Sequence, residues 1–326
     1  MPIRHIYSEV SEAQYQSFIE SIFRNDFRSG NRFEINFFCG SKERIRGYDI
    51  EIKTFVPIFL QVKTSSLYLN GSTANQMQER KAYFHYRDLP GAYYFKLHLD
   101  HITKDYLQHN LLFQLNENGS YARYIAPLFI EKKMFEYLNY NLTPIYWHSP
   151  YNKYLMQQST MHEWRDYFFM EHSIVIKPHN ESHKVMREWH KYFYNRQLET
   201  SFHSDIEKID KTNVVFLEKF INQLNRSVSF LRNSNEGNFN SIFFSLIKSL
   251  EATFKQFGGW GKTEIEIINS IIERESLGGE SIIYETFSEL KPSLENFKVL
   301  SIYLKERFNI LSLLISKKSD LFNNYL

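Results

Sequence analysis

The sequence predicts an α+β protein, in which an N-terminal mixed sheet flanked by helices is followed by an α-helical bundle. Residues 1 to about 130 alternate between helix-like and strand-like patterns, residues 131 to about 195 are mixed, and residues 197–213 are polar, as in a linker or surface crossing. From Val214 onward, apolar residues recur at helical spacing. Because 326 residues are many for one hydrophobic core, we expect two domains, 1–200 and 201–326.

The first element is a helix, predicted over residues 11–27. Ser11 is a suitable N-cap, because its hydroxyl can accept a hydrogen bond from a backbone N–H of the first turn. Apolar residues at helical spacing define its buried face: Tyr15, Phe18, Ile19, Ile22 and Phe23. Two glutamates, Glu12 and Glu20, accompany this face.

Three strand patterns follow the helix. They cover residues 32–38, 47–52 and 58–64, and we expect a turn at Val56-Pro57 between the second and the third. Side chains on a strand alternate between faces, so Gln61 and Lys63 share one face. Pairing of the second and third strands would bring Asp49 next to them.

Further strands and a hairpin are predicted before residue 200. Ala92–Phe95 and Ser173–Ile176 have strand composition. Residues 116–120, Asn-Glu-Asn-Gly-Ser, predict a turn that joins strands Leu111–Leu115 and Tyr121–Ala126 into a hairpin.

The predicted bundle begins near Val214 and carries two apolar stripes. They consist of Leu217, Phe220, Ile221, Leu224, Val228 and Leu231, then Phe243, Leu246, Ile247, Leu250 and Phe254. Helices are also expected over Ile267–Ile272 and Leu300–Leu314. Since this part contains no constellation of catalytic residues, we interpret it as an assembly or partner-docking module.

Composition limits the class of protein. A net charge of +2 means that DNA binding would need a local basic surface. The one cysteine, Cys39, excludes an intramolecular disulfide and suits a reducing compartment. The sequence contains no signal-peptide pattern and no apolar run of membrane-spanning length. We therefore expect a soluble cytoplasmic protein without a membrane partner.

The order of these motifs resembles the PD-(D/E)xK, or restriction-endonuclease-like, nuclease superfamily. The matching features are a helix with a glutamate, a strand, Gly47-Tyr48-Asp49-Ile50, and then Gln61-Val62-Lys63, as in the Gln-x-Lys variants of Mrr-type nucleases. The resemblance covers residues 8–70 and extends more weakly to residue 130. It implies a restriction-endonuclease-like sheet and hydrolysis of DNA phosphodiester bonds with Mg²⁺ or Mn²⁺.

The resemblance also implies a role for each residue of the motif. Asp49 and Glu12 would bind the metal, with Gln61 and the backbone carbonyl of Val62 as further ligands. Gln61 would orient the attacking water, and Lys63 would stabilise charge on the scissile phosphate. The usual glutamate of Glu-x-Lys is Gln61 here, and a neutral amide binds Mg²⁺ more weakly than a carboxylate. Glu20 is the alternative to Glu12 as the helix carboxylate.

Several functions remain open at this point. The leading hypothesis is a DNA endonuclease that serves as an effector subunit of a bacterial anti-phage system, as a homo-oligomer or with a regulatory partner such as an ATPase or sensor. Alternatives are an inactive interaction subunit that retains the nuclease fold, or an RNA-directed nuclease. A purely structural explanation is also open, in which Asp49, Gln61 and Lys63 lie on a solvated face of their strands without a catalytic role. Clustering of Glu12, Asp49 and Lys63 within metal-bridging distance would favour the enzyme. Burial of Lys63 in an ion pair away from any groove would favour the interaction subunit.

Overall fold

The computed structural model is a mixture of helices and strands, as the sequence predicts. It describes residues 5–29, 33–37, 55–69, 91–100, 103, 105–141, 172–180, 190–202, 207–230, 239–255, 260–275 and 283–317. Several predicted features lie outside the described residues, namely Asp49 with its strand, Cys39 and Leu231.

The described strands are β1 (His5–Ile6), β2 (Phe33–Phe37), β3 (Phe55–Val62), β4 (Ser66–Leu69), β5 (Gly91–Lys96), β6 (Tyr121–Pro127), β7 (Ser173–Ile176), β8 (Lys191–Tyr194), β9 (Thr200–Phe202), β10 (Glu207–Ile209), β11 (Val214–Phe216) and β12 (Leu311–Lys317). The described α-helices are α1 (Glu12–Ser29), α2 (Leu107–Glu117), α3 (Lys132–Asn141), α4 (Leu217–Phe230), α5 (Phe239–Lys255), α6 (Trp260–Glu275) and α7 (Leu294–Phe308). Short 3₁₀ turns lie at Lys211–Asn213 and Phe287–Glu289.

The strands form two sheets. The first has the order β1-β4-β5-β8-β9-β10 and is antiparallel. The second has the order β11-β7-β6-β3-β12-β2 and is mixed, because β3 runs parallel to β6 and antiparallel to β12. Strand β3 therefore lies inside the second sheet with a neighbour on each side, which explains its almost continuous apolar sequence.

The two faces of β3 contact different cores. Ile58, Leu60 and Val62 pack with the buried face of α1 and with α4, whereas Phe59 packs in the larger core beside α2. That larger core also receives side chains from the first sheet and from α5, α6 and α7. Residues on β3 with odd numbers thus face the interior between the two sheets.

The chain after residue 201 contributes strands as well as helices. β12 lies between β2 and β3, with Leu311 opposite Leu60, so a C-terminal strand completes the N-terminal sheet. The larger core likewise combines residues from both sides of the boundary between residues 200 and 201. The division into domains 1–200 and 201–326 concerns independent folding and stays a prediction.

Most of the predicted apolar faces are confirmed. On α1, Tyr15, Phe18, Ile19, Ile22 and Phe23 are all buried. The described side chains of the two later stripes are also buried, namely Leu217, Phe220, Ile221, Leu224, Phe243, Leu246, Ile247, Leu250 and Phe254. The strands predicted around Ala92, Tyr121 and Ser173 are present as β5, β6 and β7.

Two predicted elements are wrong. Leu111–Leu115 belongs to α2, because Leu107, Leu111 and Leu115 recur every four residues on one buried helix face. The predicted turn ends this helix, with Gly119 at a φ of 89°. The helix predicted over Leu300–Leu314 ends at Phe308, and the residues from Leu311 form β12.

The turn predicted at Val56-Pro57 is also absent, because both residues lie within β3. Pro57 has no N–H to donate, and the ladder with β6 begins one residue later, at Ile58. Proline is therefore tolerated here although β3 lies inside the sheet.

Within the ranges described above, no helix combines the length and the apolar character that crossing a membrane requires.

Candidate active site

The candidate site lies at the carboxyl end of β3. The ladder with β6 continues one residue past the strand, since the Lys63 backbone N–H donates to the Ile125 carbonyl at 2.8 Å. Gln61 and Lys63 follow Phe59 on the face that points between the two sheets. The predicted placement of Gln61 and Lys63 on one face is therefore consistent with the register of β3.

Lys63 is nearly dehydrated, and two side chains of the described residues contact its ammonium group. Its Nζ donates to Gln108 Oε1 on α2 at 3.1 Å and lies 3.9 Å from Glu12 Oε2. Burial lowers the pKa of the Lys63 ammonium, and the nearby Glu12 carboxylate opposes that shift. Burial therefore disfavours the charged form of Lys63, and the Glu12 carboxylate partly offsets this cost.

Glu12 connects this buried lysine to solvent. It is the first residue of α1, where a carboxylate interacts favourably with the helix dipole. Ser11 caps the helix, since its Oγ accepts from the Gln14 N–H at 3.2 Å and its own N–H donates to Gln14 Oε1 at 3.0 Å. The Glu12 side chain is 34% exposed, against 7% for Lys63, so the cluster opens to solvent at Glu12.

Gln61 is the most unusual member of the site. It is 0% exposed, and neither atom of its amide group has a hydrogen-bond partner among the described residues. An amide buried without partners costs about 1–3 kcal/mol, so native proteins rarely contain one without a reason. Its amide can therefore bind a ligand group without first breaking a bond within the described structure.

The C-terminal part of the chain completes the cluster. Asn309 Nδ2 donates to Glu12 Oε1 at 2.6 Å. Lys305 Nζ donates to Asn309 Oδ1 at 2.6 Å and also to Gln16 Oε1. A side chain on α7 and one just beyond it therefore bind residues of α1.

A second bridge from the same part of the chain reaches Lys63. Gln108 accepts from Lys63 through its Oε1, and its Nε2 donates to the Phe308 carbonyl. Gln108 is 6% exposed, so both bonds are shielded from water.

The structure distinguishes between the two candidate helix glutamates by their contacts. Glu12 approaches Lys63, whereas Glu20 accepts from Gln16 Nε2 at 2.7 Å. Val62 ends β3 between Gln61 and Lys63. Asp49, the predicted principal metal ligand, lies outside the described residues.

The donor types at the site suit a hard divalent cation. Within the described ranges, the Glu12 carboxylate and the Gln61 amide offer oxygen atoms, whereas the amide oxygens of Gln108 and Asn309 already accept from lysines. Hard cations prefer oxygen ligands. The same ranges contain no group of three His, Cys, Asp or Glu residues placed to hold a metal. A magnesium site here would need the second carboxylate that the motif assigns to Asp49.

A second buried polar cluster surrounds His109 on α2. Its Nε2 bonds to the carbonyls of Asn180 and His179, at 2.8 and 3.1 Å, and its Nδ1 bonds to Tyr124 Oη at 2.8 Å. Since carbonyls only accept, Nε2 carries the proton and the Tyr124 hydroxyl donates to Nδ1. Burial lowers the pKa of His109 to about 4. This histidine is a neutral core residue.

A cavity of about 190 Å³ lies beside this histidine cluster. Its lining includes Glu117 on α2 together with Lys177, His179 and Asn180.

Sequence reasoning missed Gln108 and Asn309. An asparagine after a helical pattern with basic residues in its last turn is a known signal for a left-handed C-cap, and Asn309 has that conformation at φ 52°. That signal fixes the end of α7. It does not indicate a contact with Glu12, which lies 297 residues away in sequence.

Comparison of the chain with models of protein families, with curated proteins and with solved structures finds no match.

Proposed function

We propose that this chain is a metal-dependent nuclease that hydrolyses phosphodiester bonds at the cluster of Glu12, Gln61 and Lys63. The observation that carries the proposal is the meeting of Glu12 and Lys63 at the end of β3, with Nζ 3.9 Å from Oε2. The two residues are 51 positions apart in sequence. In the motif, the glutamate binds the metal and the lysine stabilises charge on the scissile phosphate, so both are expected at one site.

Each residue has a role that its surroundings permit. Glu12, partly exposed, would hold a divalent cation together with the predicted ligands Asp49, Gln61 and the Val62 carbonyl. Bound Mg²⁺ or Mn²⁺ would supply charge stabilisation at the phosphate and acidify an attacking water. The Gln61 amide, which has no hydrogen-bond partner among the described residues, would orient that water or the phosphate by hydrogen bonding.

Lys63 would supply the cationic side of the site. In a dehydrated setting an ammonium interacts more strongly with a phosphate than it does in water. Its lowered pKa makes Lys63 easier to deprotonate than an exposed lysine, so it could also assist proton transfer from water.

A second candidate function is a non-enzymatic interaction subunit that retains this fold. The burial of Lys63 in a pair with Glu12 favours it, because structural ion pairs also place lysines in this way. The exposure of Glu12 favours the enzyme, since a phosphodiester needs access to the pair.

The proposal is tested by cleavage of plasmid DNA, single-stranded DNA and RNA, each with Mg²⁺, with Mn²⁺ and with EDTA. We expect metal-dependent cleavage that is lost in Asp49→Ala and Lys63→Ala. Lys298→Ala is the matched control, because Lys298 also pairs with a glutamate, Glu275, at 3.1 Å. Cleavage that survives both site variants would contradict the assignment. Cleavage of RNA alone would retain the site and change the substrate class.

The proposed setting is an effector subunit of an anti-phage system, with DNA as substrate and a homo-oligomer or a regulatory ATPase or sensor as partner. A cytoplasmic nuclease needs such control, because unregulated cleavage would damage the host genome. Co-purification of a second subunit that changes the cleavage rate would test this setting.

A further inference from the structure

The turn between α7 and β12 is short and tightly fixed. α7 ends at Phe308, and Asn309 takes the left-handed conformation, with its N–H bonded to the Lys305 carbonyl at 2.9 Å. β12 begins two residues later, and Leu311 pairs with Leu60 on β3. The turn is therefore held on one side by the helix and on the other by the central sheet.

Ion pairs also hold the last turn of α7. Arg307 Nη1 lies 2.9 Å from Asp100 Oδ2, and its Nε donates to Glu264 Oε1 at 3.2 Å. Asp100 and Glu264 are 5% and 0% exposed, so water weakens these charge-assisted bonds little. The position of Asn309 is consequently determined by contacts with several elements.

Two successive residues of this turn reach the two charged groups of the candidate site. Asn309 donates directly to Glu12 Oε1 at 2.6 Å, and the Phe308 carbonyl holds Gln108, which accepts from Lys63. A carboxylate that accepts a short bond from a fixed donor loses much of its rotational freedom. The second carboxylate oxygen, Oε2, is the one that lies nearest Lys63.

We infer that Asn309 is a positioning residue that fixes the orientation of the Glu12 carboxylate, so that the α7–β12 turn forms part of the active site. The inference rests on the proposed function. It goes beyond the sequence motif, because Asn309 and the turn that leads into β12 would belong to the working site. A site assembled in this way depends on the correct docking of the C-terminal segment.

The test is steady-state cleavage by Asn309→Gly. Glycine adopts the left-handed conformation without strain, so this change removes the side chain and retains the turn. Asn180→Gly is the matched control, because Asn180 also has a positive φ, 36°, and lies beside the His109 cluster. We expect kcat to fall by about 10- to 100-fold in Asn309→Gly, as for other residues that orient a functional ligand, and to change less than twofold in the control.

Asn309→Asp gives a readout that a merely structural role would not move. Aspartate has a similar size but cannot donate, and it would place a second carboxylate beside Glu12. We expect kcat to fall as far as in Asn309→Gly while KM stays within twofold, because the variant cannot donate to Glu12 Oε1. An equal change in kcat and KM, or a lower urea midpoint with kcat retained, would indicate a structural role and overturn the inference.

Failure of the inference can be distinguished from failure of the proposed function. If wild type cleaves and Asn309→Gly retains its kcat within twofold, the inference is overturned and the nuclease stands. If wild type does not cleave with any metal, the proposed nuclease fails, and a double-mutant cycle in urea with Asn309→Gly and Glu12→Ala decides the inference. Coupling of about tenfold in the unfolding equilibrium constant supports the contact, and additive effects overturn it.

Discussion

Lys63→Met is the perturbation that best separates a functional lysine from a structural one. Methionine has a similar length and no charge, so the change removes the cost of desolvating the ammonium of a lysine that is 6% exposed. That cost amounts to several kcal/mol for a buried ion. The variant would lose the interaction with Glu12 and the bond to Gln108.

The interactions with Glu12 and Gln108 that the variant loses must be weighed against the desolvation cost that it removes. At 3.9 Å, and in surroundings with an effective dielectric constant of about 20, the pair with Glu12 would be worth about 4 kcal/mol. Glu12 is 34% exposed, so solvent screening reduces this value toward the range of about 0–1 kcal/mol that is typical of surface pairs. The bond to Gln108 adds about 1.5–3 kcal/mol. The variant also leaves the buried Gln108 Oε1 without this donor, at a cost of about 1–3 kcal/mol. Because these losses offset the gain in desolvation, we expect the stability of Lys63→Met to stay within about 2 kcal/mol of wild type.

The assay is urea unfolding at pH 7, with the midpoint compared at constant m. Lys298→Met is the control, since Lys298 pairs with Glu275 at 3.1 Å and is 26% exposed; we expect its effect to stay within about 1 kcal/mol. Loss of about 3–5 kcal/mol in Lys63→Met would refute the reasoning, because that is the cost of breaking a structural buried ion pair.

Three further predictions concern stability. Gln61→Leu is expected to raise the free energy of unfolding by about 1–3 kcal/mol, since it replaces a buried amide that has no partner in the described part of the chain; a lower urea midpoint would contradict this. His109, with its pKa lowered to about 4, binds a proton more weakly when folded than when unfolded. Stability should therefore fall as pH decreases from about 6.5 toward 4, by about 3 kcal/mol in total, and His109→Gln should reduce this slope in urea titrations; equal slopes would contradict it. Ser11→Ala removes the acceptor of the Gln14 N–H and should cost about 1 kcal/mol in urea unfolding; an unchanged midpoint would contradict it.

Local sequence patterns predicted the elements that bury one face and expose the other. The stripe from Tyr15 to Phe23 has a helical period, and that period alone identifies the buried face of α1. The cap at Ser11 is equally local, because it depends only on residues within one turn. Gln61 and Lys63 could be placed on one face because alternation along a strand depends on the backbone alone.

Elements set by distant partners were not predictable in the same way. Leu311–Lys317 has an apolar sequence that suits either helix or strand, and its pairing with β2 and β3 decides for strand. Leu111–Leu115 is a short apolar run before a strong turn signal, a pattern shared by hairpins and helix ends. In both segments tertiary packing overrides an ambiguous local signal.

The same distinction applies to the candidate site. The motif order predicted that Glu12 and Lys63 belong together, and the structure places them 3.9 Å apart. Asn309 and Gln108 depend on how α7 and α2 pack, which no local pattern encodes. The role of Asp49 stays a prediction, since this residue lies outside the described part of the chain.

The most direct test of the central claim is cleavage of plasmid DNA with Mg²⁺ by wild type and by Lys63→Met, each first shown by urea unfolding to be folded under the assay conditions. We expect cutting by wild type that EDTA abolishes, and no cutting by the folded variant. Loss of activity could then not be attributed to unfolding. Equal cutting by wild type and Lys63→Met would contradict the account, because the site at the end of β3 would not be the catalytic one.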